Sequence, residues 1–282
     1  MSVAGTAAEQ IVGRLRITDP RDLRVEDIAW ECGALVREEP LDGAVARLAR
    51  FGNRAVITVS SRLPQRGRKR FAISHELGHL TLHSGQSDLN LCLESDLAPT
   101  VRRLRRNAAD ENPEADANAF SSTLLMPSAL FGPRCERQKP SLALVESLAD
   151  VFDTTLTATA IRYMAFCGEA CAVVWSEKRR IKWYWASRDF DFHVKVHEEI
   201  DAYSIAYDWF EGKTPSKRPT SVDASSWLAP GRYKEDALVQ EDSRGLPNYD
   251  AVLTLLWIDR DIEKEWEPQE KFTPDGRYGR RR

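Results

Sequence analysis

The sequence has little of what would take a protein out of the class of ordinary water-facing folded chains. It has only five cysteines (Cys32, Cys92, Cys135, Cys167, Cys171), an odd number at scattered spacing. That usage fits reduced thiols in the cytoplasm and argues against a disulfide framework. Cys167 and Cys171 form a C-x-x-x-C, but no second pair completes a cysteine zinc site. No apolar run approaches the roughly 18 residues a membrane span needs, and the N-terminus lacks a basic region followed by an apolar stretch. Neither membrane spanning nor secretion is therefore expected. Charge of neither sign dominates: 40 Lys and Arg against 43 Asp and Glu leave a net charge of -3. This removes any global attraction to nucleic acid or anionic membrane, so such a contact would have to be local.

What is present suffices for a packed core, since 282 residues at 42% hydrophobic content can form one large domain or two ordinary ones. The chemistry concentrates in Phe71-Ala-Ile-Ser-His75-Glu76-Leu-Gly-His79-Leu-Thr-Leu-His83. This is H-E-x-x-H. Residues four apart lie on one helix face, about 6 Å along the axis, so His75 and His79 can grip one Zn²⁺ from adjacent turns. Glu76 then sits beside the ion and can take a proton from a water there, the general-base position. His83 lies eight residues from His75, a rise of roughly 12 Å, which is too far for one ion to hold both.

The third ligand has to come from elsewhere, and the stretch from Asp110 to Pro127 offers one. Ala117, Phe120, Leu124 and Leu125 have helical spacing, Asn112 suits an N-cap, Pro113 suits the first turn, and Met126-Pro127 suits an end. Glu114 and Asn118 then share a face one turn apart. A carboxylate ligand and a partner for a ligating imidazole require that placement.

Around these motifs, helices are expected over residues 4–17 and 24–32. Two strands joined by Gly52-Asn53 are expected over 44–50 and 54–60. The edge of such a sheet could pair with an extended peptide substrate. The basic run from Arg62 to Arg70 reads as a solvated loop and first helical turn, and residues 84–100 as a long loop near the site. Residues 141–152 and 155–166 read as a helix pair resembling a helix-turn-helix. The second helix has only Arg162 as a basic residue, so DNA binding is possible but not favoured over a structural or docking role. Beyond it, 170–175 and 181–185 form a hairpin and 249–258 a buried strand, and seven of the eight tryptophans follow residue 170. His193 and His197 imitate the metal spacing, but on a strand they would stand about 13 Å apart and at the surface. The basic tail Arg277–Arg282 is expected to be disordered.

Together, Phe71–His83 and Glu114-Ala-Asp-Ala-Asn-Ala-Phe-Ser-Ser-Thr-Leu-Leu-Met-Pro127 resemble the ImmA/IrrE family of zinc metallo-endopeptidases, over about residues 4–166. The resemblance implies an α+β fold: a thermolysin-like zinc peptidase core of helices and a small sheet (1–135), the helix-turn-helix-like pair (136–168), and a C-terminal α/β sensor-like region (169–282). It implies zinc on His75, His79 and Glu114, with Glu76 as catalytic base and Asn118 behind the ligands. His and carboxylate ligands also suit Mn²⁺ or another divalent ion. It further implies a cytoplasmic, site-specific endopeptidase whose protein substrate is a helix-turn-helix repressor of stress or mobile-element genes. The competing expectation is a non-enzymatic regulator that binds DNA or a protein through the helix pair, with structural zinc. Glu76 has no purpose in that reading, and structural zinc usually takes four protein ligands.

Overall fold

The computed structural model describes residues 2–83, 89–96, 112–136, 138–214, 216, 218–231 and 233–258. The chain opens with α1 (Val3–Arg14), started by the Ser2 hydroxyl accepting from Gly5 N, and α2 (Val25–Glu31). Next come β1 (Ala34–Glu39), β2 (Ala46–Phe51) and β3 (Arg54–Ser60). The β2–β3 hairpin turns at Gly52-Asn53, where Gly52 takes a φ of 61° that a side chain would resist. Ala46 and Leu48 of β2 and Ala55, Ile57 and Val59 of β3 are buried at alternate positions. This period-two pattern lays one sheet face against α3 (Arg66–Leu82), the H-E-x-x-H helix.

The first sheet has four strands in the order β1-β3-β2-β4, although the sequence pattern discloses only two. β1 runs parallel to β3, with Ala34 opposite Ala55. Its Ala-Leu-Val-Arg-Glu-Glu carries too little alternation to announce a strand, and its ladder bonds come from a segment about twenty residues away. β4 (Leu89–Cys92) falls where a loop is expected. It pairs antiparallel with β2, Ala46 opposite Cys92 and Ala49 opposite Leu89. Four residues cannot show a period, and only the partner strand makes them a strand.

α4 (Pro113–Leu125) follows the expected signals: Pro113 stands at its start, Asn112 Oδ1 accepts from Ala115 N, and the helix ends before Met126-Pro127. It lies tightly against α3 because of Gly78, where an added Cβ would stand 3.1 Å from Ala117 Cα. α5 (Ser128–Cys135) leads to α6 (Leu142–Phe152) and α7 (Leu156–Tyr163), whose N-caps are Ser141 and Thr155 and whose junction residue Asp153 has φ 52°.

The basic run before the site is largely engaged in ion pairs. Arg66 meets Asp153 at 2.7 Å, Arg68 pairs with Glu94 and Lys69 with Glu38. Arg70 is buried, against the expectation of a solvated segment: its guanidinium donates to Leu23 O at 2.9 Å and faces Asp153 at 3.5 Å. Arg162 of α7 is half-buried, donating to Met126 O and Ser128 Oγ.

The C-terminal region is a five-stranded antiparallel sheet with one short helix, α8 (Ile205–Phe210). Its strands are β5 (Ala170–Glu177), β6 (Arg180–Ala186), β7 (Thr220–Asp223), β8 (Leu238–Leu246) and β9 (Ala251–Ile258), ordered β6-β5-β9-β8-β7. One face, carrying Cys171, Val173, Leu253 and Leu255, joins the hydrophobic core that begins at Ala4. The other packs against Phe190, Phe192, Trp227 and Leu228. His193 and His197 are exposed, as expected, but they lie in irregular chain held by isolated bridges from Val194 to Leu228 and from Glu199 to Arg180. The inward turn of Phe192 and Val194 imitates a strand without its ladder. The tail from residue 259 and the basic Arg102–Arg106 lie outside the described residues. Among the described residues, no helix is long and apolar enough to cross a membrane.

Candidate metal centre

α3 carries His75 and His79 on adjacent turns, and both are buried. Their Nε2 atoms stand 3.0 Å apart. The first turn of α4 brings Glu114 to the same point, with Oε2 3.0 Å from His75 Nε2 and 3.4 Å from His79 Nε2. The ligand atoms of these three residues all lie within 4.8 Å of one another, a set that could hold a metal ion. The two imidazoles beside it, His75 first and then His79, hold the Glu114 carboxyl well below the usual carboxylate range.

Each histidine is held from behind. Asn118 Oδ1 stands 3.0 Å from His75 Nδ1, while Asn118 Nδ2 donates to Asp96 O at 2.8 Å. With its amide nitrogen committed to Asp96, Asn118 presents an acceptor, so His75 Nδ1 carries the proton and Nε2 keeps its lone pair for the cluster. His79 Nδ1 faces His83 Nδ1 at 3.2 Å. His83 is thus no member of the ligand cluster, as its spacing requires, but it touches the second imidazole. Sequence reasoning excluded it as a ligand and missed this contact, although its i+4 spacing from His79 carried the signal. Arg50 of β2 also lay outside that reading; its guanidinium donates to His79 O at 3.0 Å and fixes the last turns of α3.

Glu76 is fully buried and neither carboxylate oxygen has a hydrogen-bond partner among the described residues. Burial, and then the nearby Glu114 charge, raises its pKa to about 8. Buried carboxylates ordinarily find partners, so an orphan of this kind marks a place where something else is received. Glu76 lines a cavity of about 290 Å³ together with His79, Glu114 and the strand Leu89–Cys92. Two imidazoles and a carboxylate converging beside an unpaired acid and a cavity fit a divalent cation.

Residues 30–164 match the family model described as Peptidase_M78, the IrrE N-terminal-like domain. This stretch, just under half of the chain, is similar to that family. That family is typically metal-dependent, and the matched stretch contains all of His75, Glu76, His79, Glu114 and Asn118. A solved structure of a Mycobacterium tuberculosis transcriptional regulator has a similar fold, with a TM-score of 0.57 at 16% identity. The alignment covers 91% of this chain and 75% of that one, so the likeness in fold extends past residues 30–164 into the second sheet. No curated protein matches the sequence.

Proposed function

We propose that the protein is a zinc-dependent, site-specific endopeptidase. The observation that carries this reading is the buried, unpartnered Glu76 carboxylate at a cavity shared with His79 and Glu114. A structural metal site has no use for such a group. His75, His79 and Glu114 would hold the ion, and Asn118 would orient His75. When bound, the ion supplies Lewis acidity toward a peptide carbonyl and toward a water. Glu76 takes the proton of the attacking water and passes it to the leaving amide nitrogen. Its raised affinity for a proton suits both halves of that transfer.

The peptide has a place to lie. β4 pairs with β2 on one side, lines the cavity, and has no strand on its other edge among the described residues. An extended substrate adds there as a further strand, its backbone bonds giving alignment and its side chains selectivity. A helix-turn-helix repressor is the proposed substrate, in keeping with the resemblance to the ImmA/IrrE family. Residues 1–135 carry the chemistry, 136–168 connect, and 169–282 form the region through which activity is controlled. The cytoplasm is the proposed compartment, where five free thiols stay reduced.

The test compares new protein N-termini in cells expressing wild type and Glu76→Gln. Glu76→Gln retains the metal and loses cleavage by at least about a hundredfold. New termini in one or a few regulators, present with wild type alone, support the proposal. Equal cleavage by the variant overturns it.

A further inference from the structure

α7 passes into β5 through Phe166-Cys167-Gly168-Glu169-Ala170-Cys171, and this connection brings two thiols together. Cys167 Sγ stands 3.1 Å from Cys171 Sγ. Cys167 is half-buried, whereas Cys171 lies fully inside the core. The C-terminal half of the connection is pinned by one side chain, the Ser187 hydroxyl accepting from Cys171 N at 2.9 Å and donating to Glu169 O at 2.8 Å, and Cys167 N donates to Tyr163 O at 2.9 Å at the other end. The contact is therefore built into the fold, although the two residues are not in the peptidase cluster.

The surroundings of the two sulfurs differ. The two thiols are in hydrogen-bond contact, and the Glu169 backbone and the side chain of buried Tyr163 also act on Cys167. The contact with Cys171 first, and then the Glu169 backbone and Tyr163, brings Cys167 down to about 7 against the effect of burial. Cys171 is pushed up, chiefly by its bond to Cys167 and then by burial, and keeps its proton. One sulfur is a partly accessible nucleophile and the other a sequestered thiol beside it, the arrangement of an attacking and a resolving cysteine.

We propose that Cys167 and Cys171 form a peroxide-reactive dithiol that closes to an intramolecular disulfide. The Cys167 thiolate attacks one oxygen of a hydroperoxide; the O–O bond breaks, and the departing alkoxide or hydroxide takes a proton. Cys167 is left as a sulfenic acid. The Cys171 sulfur then attacks the Cys167 sulfur, the S–O bond breaks, and the hydroxyl leaves as water with the Cys171 proton. The two thiols lose two electrons in total and the peroxide gains them. The sulfurs have only to close from 3.1 Å to about 2.05 Å, and Gly168 lies between them in chain that is neither helix nor strand. The resulting bond staples the end of the helix pair to the first strand of the second sheet.

The test uses the full chain and hydrogen peroxide at pH 7, followed by alkylation with N-ethylmaleimide, tryptic digestion and mass spectrometry. Tyr163–Lys178 is a single tryptic peptide containing both cysteines. Closure removes two hydrogens and both alkylation sites from it, and dithiothreitol restores both. Cys167 is expected to be lost to peroxide at least about tenfold faster than Cys32, whose thiol is raised by burial. In Cys171→Ser, the reaction stops at a sulfenic acid on Cys167 that dimedone traps. The proposal is overturned if both cysteines stay alkylatable while Cys32 is oxidised, or if Cys167 goes to sulfinic acid with no linked peptide. The wild-type measurement decides even if the serine variant fails to fold.

Discussion

At the scale of single residues, the site is a set of proton positions fixed by neighbours. His75 is committed by Asn118, and His79 is in hydrogen-bond contact with His83. His83→Ala removes a bond behind a ligand and should weaken metal affinity about 10–100-fold, with Asn at the same position restoring part of it. Competition with a chelating dye measures this without any substrate. Glu76 gives a pH prediction for the metal-free protein. Its folded pKa of about 8 exceeds an unfolded value of about 4.3, so the neutral acid favours the fold fully below the ordinary carboxylate range. That contribution is lost as the pH rises through 8. Glu76→Gln, which cannot ionise, should therefore gain Tm relative to wild type between pH 5 and pH 9. A constant difference in Tm across that range would show that Glu76 ionises as freely folded as unfolded.

At the scale of elements, two close approaches set where the helices lie. A Cβ at Gly78 would press on Ala117 Cα and on the Phe120 ring, across the α3–α4 contact that carries Glu114 to the histidines. Gly78→Ala gains roughly 1 kcal/mol of helix propensity. It incurs about 1–3 kcal/mol of overpacking, and the shifted α4 should lower metal affinity. A Cβ at Gly67 would stand 2.8 Å from the Thr154 carbonyl carbon, at the junction of α6 and α7. Gly67→Ala should lower Tm by a similar overpacking penalty while leaving metal affinity nearly unchanged, because its contact lies away from Glu114. Measuring both properties in both variants separates helix placement from general packing.

At the scale of the whole molecule, adjacent carboxylates on β8 anchor two different helices. Glu241 is buried and accepts from Ile205 N and Ala206 N at the start of α8, and from Trp227 Nε1 and Ser243 Oγ. Asp242 points the other way, accepting from Leu142 N at the start of α6 and from Arg244. Asp242→Ala leaves a buried N–H and part of a guanidinium without an acceptor, and should cost about 3 kcal/mol in denaturant unfolding. Because one core runs from Ala4 to Leu255, tryptophan fluorescence, which reports mainly the second sheet, and far-ultraviolet circular dichroism should trace one coincident transition in the wild type. Two separated transitions would mean that the shared core does not couple the halves.

The sequence by itself determined the parts whose causes are local. H-E-x-x-H on one helix face, the Asn112 cap with Pro113, the Glu114–Asn118 spacing, the Gly52-Asn53 turn and the Ser141 and Thr155 caps are each written within a turn or two of chain. Only the tertiary structure decided the parts whose partners are remote. β1 and β4 are strands because β3 and β2 supply their ladders, and four or six residues show no period of their own. Arg70 is buried because Leu23 and Asp153 meet it across the fold. Cys167 and Cys171 share a contact because Ser187, from the far end of the hairpin, closes the connection between them. A hydrogen bond or packed surface between distant segments leaves no mark on either one alone, which is why periodicity and capping could not show them.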